Sequence, residues 1–308
     1  MPRLSPTPMN SLRALVPEPI KALLRPAVMT AERWRYRLSR TKVRSAMAMR
    51  YYQPALDLVS AWAAQDTELS NFYYDLTDLN RKHLAGLIST LTGASAREVE
   101  SVFRELDNDA DLTAHLTRVA AELAYPKDVR FLFGRRVGWY AMVRLKKPRV
   151  VIETGVDAGV GSCVICAALL RNAAEGHPGR YWGTEIRRDA GKLLTAPYAG
   201  VGEIVYGDSI STLEAFNDPI DIFINDSDHS GDYEYREYRT VAEKLSPGAI
   251  ILGDNSHVTD SLCRFAWETG RCFVFFREAP KDHWYPGAGI GFAFERPLGG
   301  AKLAGTGC

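Results

Sequence analysis

The chain has 308 residues, 46% hydrophobic and 24% charged, with a net charge of only +1; this suits a folded protein with one large core plus an appendage, and argues against a disordered or fibrous chain. No apolar run reaches the ~18 residues of a membrane span, and the N-terminus lacks a secretory apolar stretch. Five cysteines without a disulfide-scaffold spacing point to a reducing, cytoplasmic compartment.

The charge is unevenly spread. Residues 1–50 carry eleven Lys or Arg against Glu18 and Glu32, a charge of +9 that leaves −8 on the remainder. Few aromatics interleave these cations, so the arm is read as packing on an acidic body, its own or that of a partner subunit in a homodimer, rather than on nucleic acid or membrane. Residues 1–28 are proline-rich and predicted to be an irregular leader. Residues 29–128 read as an all-helical region for dimerisation or as a lid. Within it Ser95-Ala96-Arg97-Glu98 forms a capping box that opens a helix carrying Val99, Val102, Phe103 and Leu106, and Asp111 is placed at the start of another. The domain from 129 to 298 opens with a helix over about 129–145, stopped before Pro148. A flexible tail follows over 299–308.

After Pro148 short apolar runs alternate with helical segments, the pattern of a parallel α/β sheet. Strands are predicted at 150–153, 181–184, 203–206, 220–225 and 249–253. Two more, at 272–277 and 290–295, have no helix between them and are expected to close the sheet as an antiparallel hairpin. Cys163 and Cys166 lie in the apolar helix after the first strand and are read as buried small hydrophobes.

Ligands of open α/β sheets bind beyond the carboxyl ends of the strands, so the residues that follow each strand carry the functional reading. The first strand ends in Glu153, followed by Gly155, Gly159, Gly161 and Ser162 at the spacing E-x-G-x-x-x-G-x-G. Dinucleotide folds instead use G-x-G-x-x-G with a pyrophosphate on the helix N-terminus. A carboxylate at this point repels phosphate and suits a ligand bearing an ammonium group. The second strand runs into Glu185, placed to accept both hydroxyls of a ribose. The third runs into Asp208 and Ser209, where a carboxylate can accept from an adenine amino group. The spacing resembles the first motif of the class I S-adenosylmethionine-dependent methyltransferases. That resemblance implies S-adenosyl-L-methionine as cofactor and a Rossmann-like, seven-stranded methyltransferase sheet.

The last two parallel strands narrow the reading. DIFINDSDH (221–229) ends in Asp226, Asp228 and His229, and AIILGDNSH (249–257) ends in Asp254, Asn255 and His257. Adjacent strands bring Asp226, Asp254 and Asn255 to one sheet edge, an oxygen-rich set suited to Mg²⁺ or Mn²⁺. These residues resemble the metal-dependent O-methyltransferases of the catechol, caffeoyl-CoA and macrolide-sugar types over about residues 130–296. The resemblance implies a cation on Asp226, Asp254 and Asn255. It also implies His229, three residues after Asp226, as the base that takes a proton from a hydroxyl of a small-molecule acceptor, a sugar or secondary metabolite. His257 is a second candidate. His283, Trp284 and Tyr285, in the loop between the last two strands, are candidates for acceptor contact. Competing readings are a non-methylating relative, such as a cephalosporin-hydroxylase-like enzyme, and a binding protein that works through its basic N-terminal region.

Overall fold

Strands separated by helices pair in parallel, because each return to the sheet needs a crossover packed on one face. The computed structural model describes residues 18–64, 73–123, 125 and 130–295. Its sheet comprises β1 (Val150–Thr154), β2 (Arg180–Glu185), β3 (Gly202–Tyr206), β4 (Ile220–Asn225), β5 (Leu245–Asp254), β6 (Cys272–Arg277) and β7 (Gly289–Phe294), in the order β3-β2-β1-β4-β5-β7-β6. Strands β1 to β5 are parallel, and β7 lies antiparallel between β5 and β6. The expected hairpin therefore forms and joins the sheet through its second strand.

Helices α2 (Asp78–Thr92), α3 (Ala96–Asp107), α4 (Ala110–Glu122), α5 (Arg136–Lys146) and α6 (Val160–Ala174) cover one side, while α7 (Ser209–Ala215), α8 (Gly231–Val241) and α9 (Ser261–Glu268) cover the other. Strand alternation assigns the side chains. Val151, Ile222, Ile224, Ile250 and Leu252 share a core with Leu84, Phe103, Leu116 and Val164. Ile152, Phe223 and Ile251 pack with Tyr238, Val241, Leu262 and Phe265.

Two compact units are present, Met1–Ala61 and Trp62–Cys308. The helices from 78 to 122 share the core of the sheet. Arg144 reinforces that join: it donates from Nε to Glu105 of α3 at 2.6 Å and from a terminal nitrogen to Glu175 after α6 at 2.6 Å. The capping box at Ser95 is formed, with Glu98 accepting from the Ser95 backbone N–H at 2.7 Å. The next helix starts earlier than Asp111, because Asp109 caps it by accepting from Leu112 N at 2.9 Å. The helix before β1 begins at Arg136, later than expected.

The described residues of the first unit belong to helix α1, which runs Glu18–Ala63 and contains Pro26 and Pro54. Residues 1–17 of the expected leader and the expected tail at 299–308 lie outside the described residues. No helix among the described residues is long and apolar enough to cross a membrane.

Candidate active site

The carboxyl ends of β1, β2, β3 and β4 surround a cleft of about 430 Å³ lined by Gly155, Asp157, Thr184, Glu185, Gly207, Asp208, Ser209, Asp226, Ser227 and Tyr233, with neighbouring loop residues. That volume lies within the range of small-molecule sites. Gly155 adopts φ +77, and a Cβ there would lie 2.2 Å from the Asp226 carbonyl oxygen. Glycine lets the β1 and β4 turns touch at this point.

Glu185 is 7% exposed and held from below by three backbone N–H groups: Arg187 at 2.8 Å, Val156 at 3.2 Å and Asp157 at 3.3 Å. A carboxylate offers about four acceptor sites, so a fixed oxygen remains for a ligand donor. Asp208 caps α7 through Ser211 N at 2.9 Å and accepts from Tyr233 OH at 2.7 Å; the tyrosine bond holds its carboxyl below the ordinary carboxylate range. It is therefore both helix cap and cleft lining. Ser209 lines the cleft with its hydroxyl on Glu237.

Glu153 and Ser162 are placed differently from the sequence expectation. Period-two alternation puts Glu153 on the Val151 face, under α6 rather than at the open edge. It is 2% exposed and accepts from Tyr181 OH and from Ser162 Oγ at 3.1 Å, and burial pushes its carboxyl up to about 7. Neither residue lines the cleft. Gly161 serves this inner contact, since a Cβ there would lie 2.6 Å from Glu153 Oε1. Gly159 begins α6 at φ +98.

A second group of side chains adjoins the cleft through Asp226. Asp226, His229 and Asp254 each bring one possible ligand atom within 4.8 Å of the others. The β4–β5 register pairs Asn225 with Gly253, which sets Asp226 beside Asp254. Burial and the neighbouring Asp254 hold the Asp226 carboxyl well above the ordinary range, the response of crowded carboxylates to a shortage of positive charge. Arg135 supplies part of it, donating one hydrogen bond to Asp254 Oδ2 at 2.8 Å and bringing Nε into ion-pair contact with Oδ1. Glu278, 1% exposed, adds a third carboxylate, bound by Tyr74 OH. Three carboxylates thus gather around Arg135, with Arg136 also acting on Glu278, an oxygen-rich group of the kind that suits a divalent cation. Asn255 adopts φ +53 and donates its amide to His229 Nε2 at 3.0 Å, which leaves its carbonyl oxygen for another partner. Hydrogen bonding to Glu234 raises the His229 pKa.

The remaining candidates spread along the same edge. His257 is exposed, with its ring 6.4 Å from that of Phe275. His283 is buried and stacks on Trp284 at 5.8 Å, and Tyr74 meets both His283 and Tyr285. The segment before α2 fixes this loop: Leu76 bridges Pro280, Thr77 N donates to Ala279 O at 2.9 Å, and Asn80 both donates to Arg277 O and accepts from Ala279 N at 2.9 Å. Sequence reasoning passed over Tyr74, Asn80, Glu234, Glu237 and Glu278. Glu237 is fully buried in α8 and gathers Thr154, Ser209, Asn225 and Ser227 beneath the cleft, with its carboxyl pushed up to about 7 by burial. The available signal was its spacing: Glu234 and Glu237 share one face of a helix that follows Asp226.

Residues 152–256 match the family described as a methyltransferase domain. No curated protein matches the chain by sequence. Among solved structures, the chain is similar to the O-methyltransferase TomG from Streptomyces achromogenes, involved in tomaymycin synthesis and in complex with S-adenosylmethionine (18% identity, 61% of this chain and 91% of that one, TM-score 0.46). It is also similar to an O-methyltransferase from Bacillus cereus in complex with S-adenosylhomocysteine (16% identity, 61% and 92%, TM-score 0.45). A third is the Podospora anserina methyltransferase PaMTH1 bound to S-adenosylhomocysteine (14% identity, 65% and 95%, TM-score 0.46). The family match falls on the strands and turns that build the cleft, within the sheet of order 3-2-1-4-5-7-6, so residues 152–256 are a methyltransferase domain.

Proposed function

We propose that the protein is an O-methyltransferase that methylates a hydroxyl of a small molecule, a sugar or secondary metabolite, with the help of Mg²⁺ or Mn²⁺. The observation that carries this reading is the position of Asp226, which lines the cofactor cleft and also belongs to the Asp226–His229–Asp254 group. The two halves of a metal-assisted transfer thus adjoin at one residue.

Glu185 is assigned to the ribose hydroxyls, Asp208 and Ser209 to the adenine side, and the Gly155 turn to the amino-acid end of S-adenosylmethionine. Asp226, Asp254 and the Asn255 carbonyl would hold the cation. When bound, it would lower the pKa of an acceptor hydroxyl and fix its oxygen. His229 has a half-buried ring, 30% exposed, with Nε2 3.7 Å from Asp226 Oδ1, and is assigned to take the hydroxyl proton as the oxygen–methyl bond forms and the methyl–sulfur bond breaks. The leaving group is neutral S-adenosylhomocysteine, so most of the acceleration comes from alignment of the reactants. His257, His283, Trp284 and Tyr285 are assigned to the acceptor side.

Calorimetry should show S-adenosylmethionine and S-adenosylhomocysteine binding, and mass spectrometry of incubations with sugars, phenols and polyketides should show a product heavier by one methyl group. EDTA should remove this turnover and Mn²⁺ restore it. Turnover undiminished by EDTA removes the cation from the reading; absent cofactor binding removes the whole of it.

Helix α1 is assigned to homodimerisation. It exposes Met47 at 68%, Tyr51 at 80% and Tyr52 at 59% among Arg40, Lys42, Arg44 and Arg50, and a long helix with so much exposed apolar surface gains stability from a partner. Residues 1–61 carry +8 and the rest −7, so the acidic body of a second copy is the matching surface. Light scattering should give a dimer mass that falls to the monomer when residues 1–61 are deleted. A mass per chain unaltered by the deletion excludes this role.

A further inference from the structure

The imidazole of His229 is gripped from both sides. Its Nδ1 lies 3.3 Å from Glu234 Oε1, and its Nε2 lies 3.0 Å from the Asn255 amide nitrogen. An ionised carboxylate only accepts hydrogen bonds, and an amide NH₂ only donates. Both contacts are satisfied together by one neutral tautomer, with the proton on Nδ1 and the lone pair on Nε2. That lone pair accepts from the Asn255 amide, at the edge of the ring that also lies 3.7 Å from Asp226 Oδ1.

Glu234 is built for this contact rather than for the helix it belongs to. An acid in the first turn of a helix serves the helix dipole well enough from an exposed position. Glu234, in the first turn of α8, is instead 2% exposed. Its second oxygen accepts from the hydroxyl of Thr259, in the loop that follows β5, so the carboxylate is pinned between the β4 and β5 turns. Burying a carboxylate costs several kcal/mol unless it is hydrogen-bonded; the bonds to His229 and Thr259 supply that compensation. Asn255 sits in the left-handed backbone region, φ +53, which asparagine tolerates better than most residues, and its backbone accepts from Val258 N at 2.8 Å. Two elements with independent anchors therefore fix one ring.

We infer that Glu234 is the positioning residue of this site: its carboxylate accepts the Nδ1–H of His229 and so keeps the proton off Nε2, whose lone pair accepts from the Asn255 amide on the Asp226 side of the ring until an acceptor hydroxyl takes that amide's place. The inference deepens the reading of His229 as proton acceptor and rests on it. A histidine in solution prefers the proton on Nε2, and a ring with that tautomer would present a donor where the acceptor hydroxyl needs a base. Glu234 reverses the preference before any substrate arrives. The residue touches no reacting atom; it acts through His229.

The test uses the full-length protein labelled with ¹⁵N-histidine and loaded with S-adenosylhomocysteine. Long-range ¹⁵N–¹H spectra at alkaline pH report which ring nitrogen bears the proton, and the His229 signals are assigned by their loss in His229→Gln. The wild type should show the Nδ1–H tautomer as the dominant form. Glu234→Gln should keep it, because the amide carbonyl still accepts, whereas Glu234→Ala should move the population to mainly Nε2–H. A dominant Nε2–H form in the wild type, or a Glu234→Ala spectrum equal to that of the wild type, overturns the inference. The wild-type and Glu234→Gln spectra decide it even where Glu234→Ala does not fold. Cofactor affinity, read by calorimetry on the same samples, bears on the methyltransferase reading and varies independently of the tautomer.

Discussion

Asp254→Ala is expected to lower stability by about 3–5 kcal/mol, the cost of leaving a buried guanidinium without its carboxylate, and to abolish cation binding. Asp254 is 1% exposed and Arg135 7% exposed, and they are joined by one hydrogen bond of 2.8 Å and an ion-pair contact through Nε. Removing the acid leaves Arg135 near Glu278 and Asp226 but without its hydrogen-bonded counterion. For a chain of this size the loss corresponds to a melting temperature lower by roughly 10 °C. Calorimetric unfolding and Mn²⁺ titration would read the two effects. They separate in the double variant Arg135→Met/Asp254→Leu, which removes both charges. An apolar pair there should recover most of the stability, since paired buried charges add little net stabilisation, yet should leave Mn²⁺ affinity as low as in Asp254→Ala. Recovery of Mn²⁺ binding by the double variant would show that Asp254 matters only as the counterion of Arg135. Stability equal to that of the wild type in Asp254→Ala would show that Arg135 finds another partner or reaches water.

The residues legible in the sequence were those whose position follows from chain direction. A strand ending in an acid puts that acid at the carboxyl edge, so Glu185, Asp208, Asp226 and Asp254 could be assembled from four separate stretches, and the β4–β5 register does bring Asp226 beside Asp254. Glu153 shows the limit of this rule. It lies one residue before the strand end, and alternation turns it inward onto Tyr181 and Ser162, so an acid at nearly the same place in the motif supports α6 instead of lining the cleft. The residues that were not legible are those whose partners are distant in the chain and lack a motif. Tyr74 meets Glu278 across 204 positions and Arg135 meets Asp254 across 119. Neither pair leaves a periodic or spacing signal, because only the folded sheet edge brings them together. The helical region gave a similar result: its amphipathic faces were readable, but that they cover the sheet depends on contacts such as Arg144 with Glu105, which a one-dimensional pattern does not encode.

Gly155→Ala should show how much of the site depends on one close approach of two turns. The added Cβ would lie 2.2 Å from the carbonyl oxygen of Asp226 and 2.7 Å from the Ser227 Cα. These are backbone atoms, so no side-chain rotation relieves the contact. The turn cannot retreat easily either, because Gly155 N donates to Thr184 O at 2.8 Å and Asp226 N donates to Thr154 O at 2.9 Å. The alanine also inherits φ +77, which costs about 1–2 kcal/mol for a residue with a Cβ. Gly176→Ala isolates that conformational cost, since it has φ +86 with nothing within 4 Å of its added Cβ. Gly159→Ala is intermediate, with φ +98 and Gly191 backbone atoms at 3.3 Å, and it disturbs the start of α6 without pushing on Asp226. In thermal unfolding and S-adenosylhomocysteine titrations, Gly176→Ala should lose about 1 kcal/mol of stability and bind normally. Gly155→Ala should bind at least about 100-fold more weakly, equivalent to about 2.7 kcal/mol, because relief of the clash must move Asp226 away from the cleft. Mn²⁺ affinity should fall in the same variant, since the displaced residue lines the cleft and belongs to the Asp226–His229–Asp254 group proposed to hold the cation. Near-normal binding of both ligands by Gly155→Ala would mean that the β4 turn can shift without disturbing either half, and Asp226 would then not be the residue through which cofactor and cation are coupled.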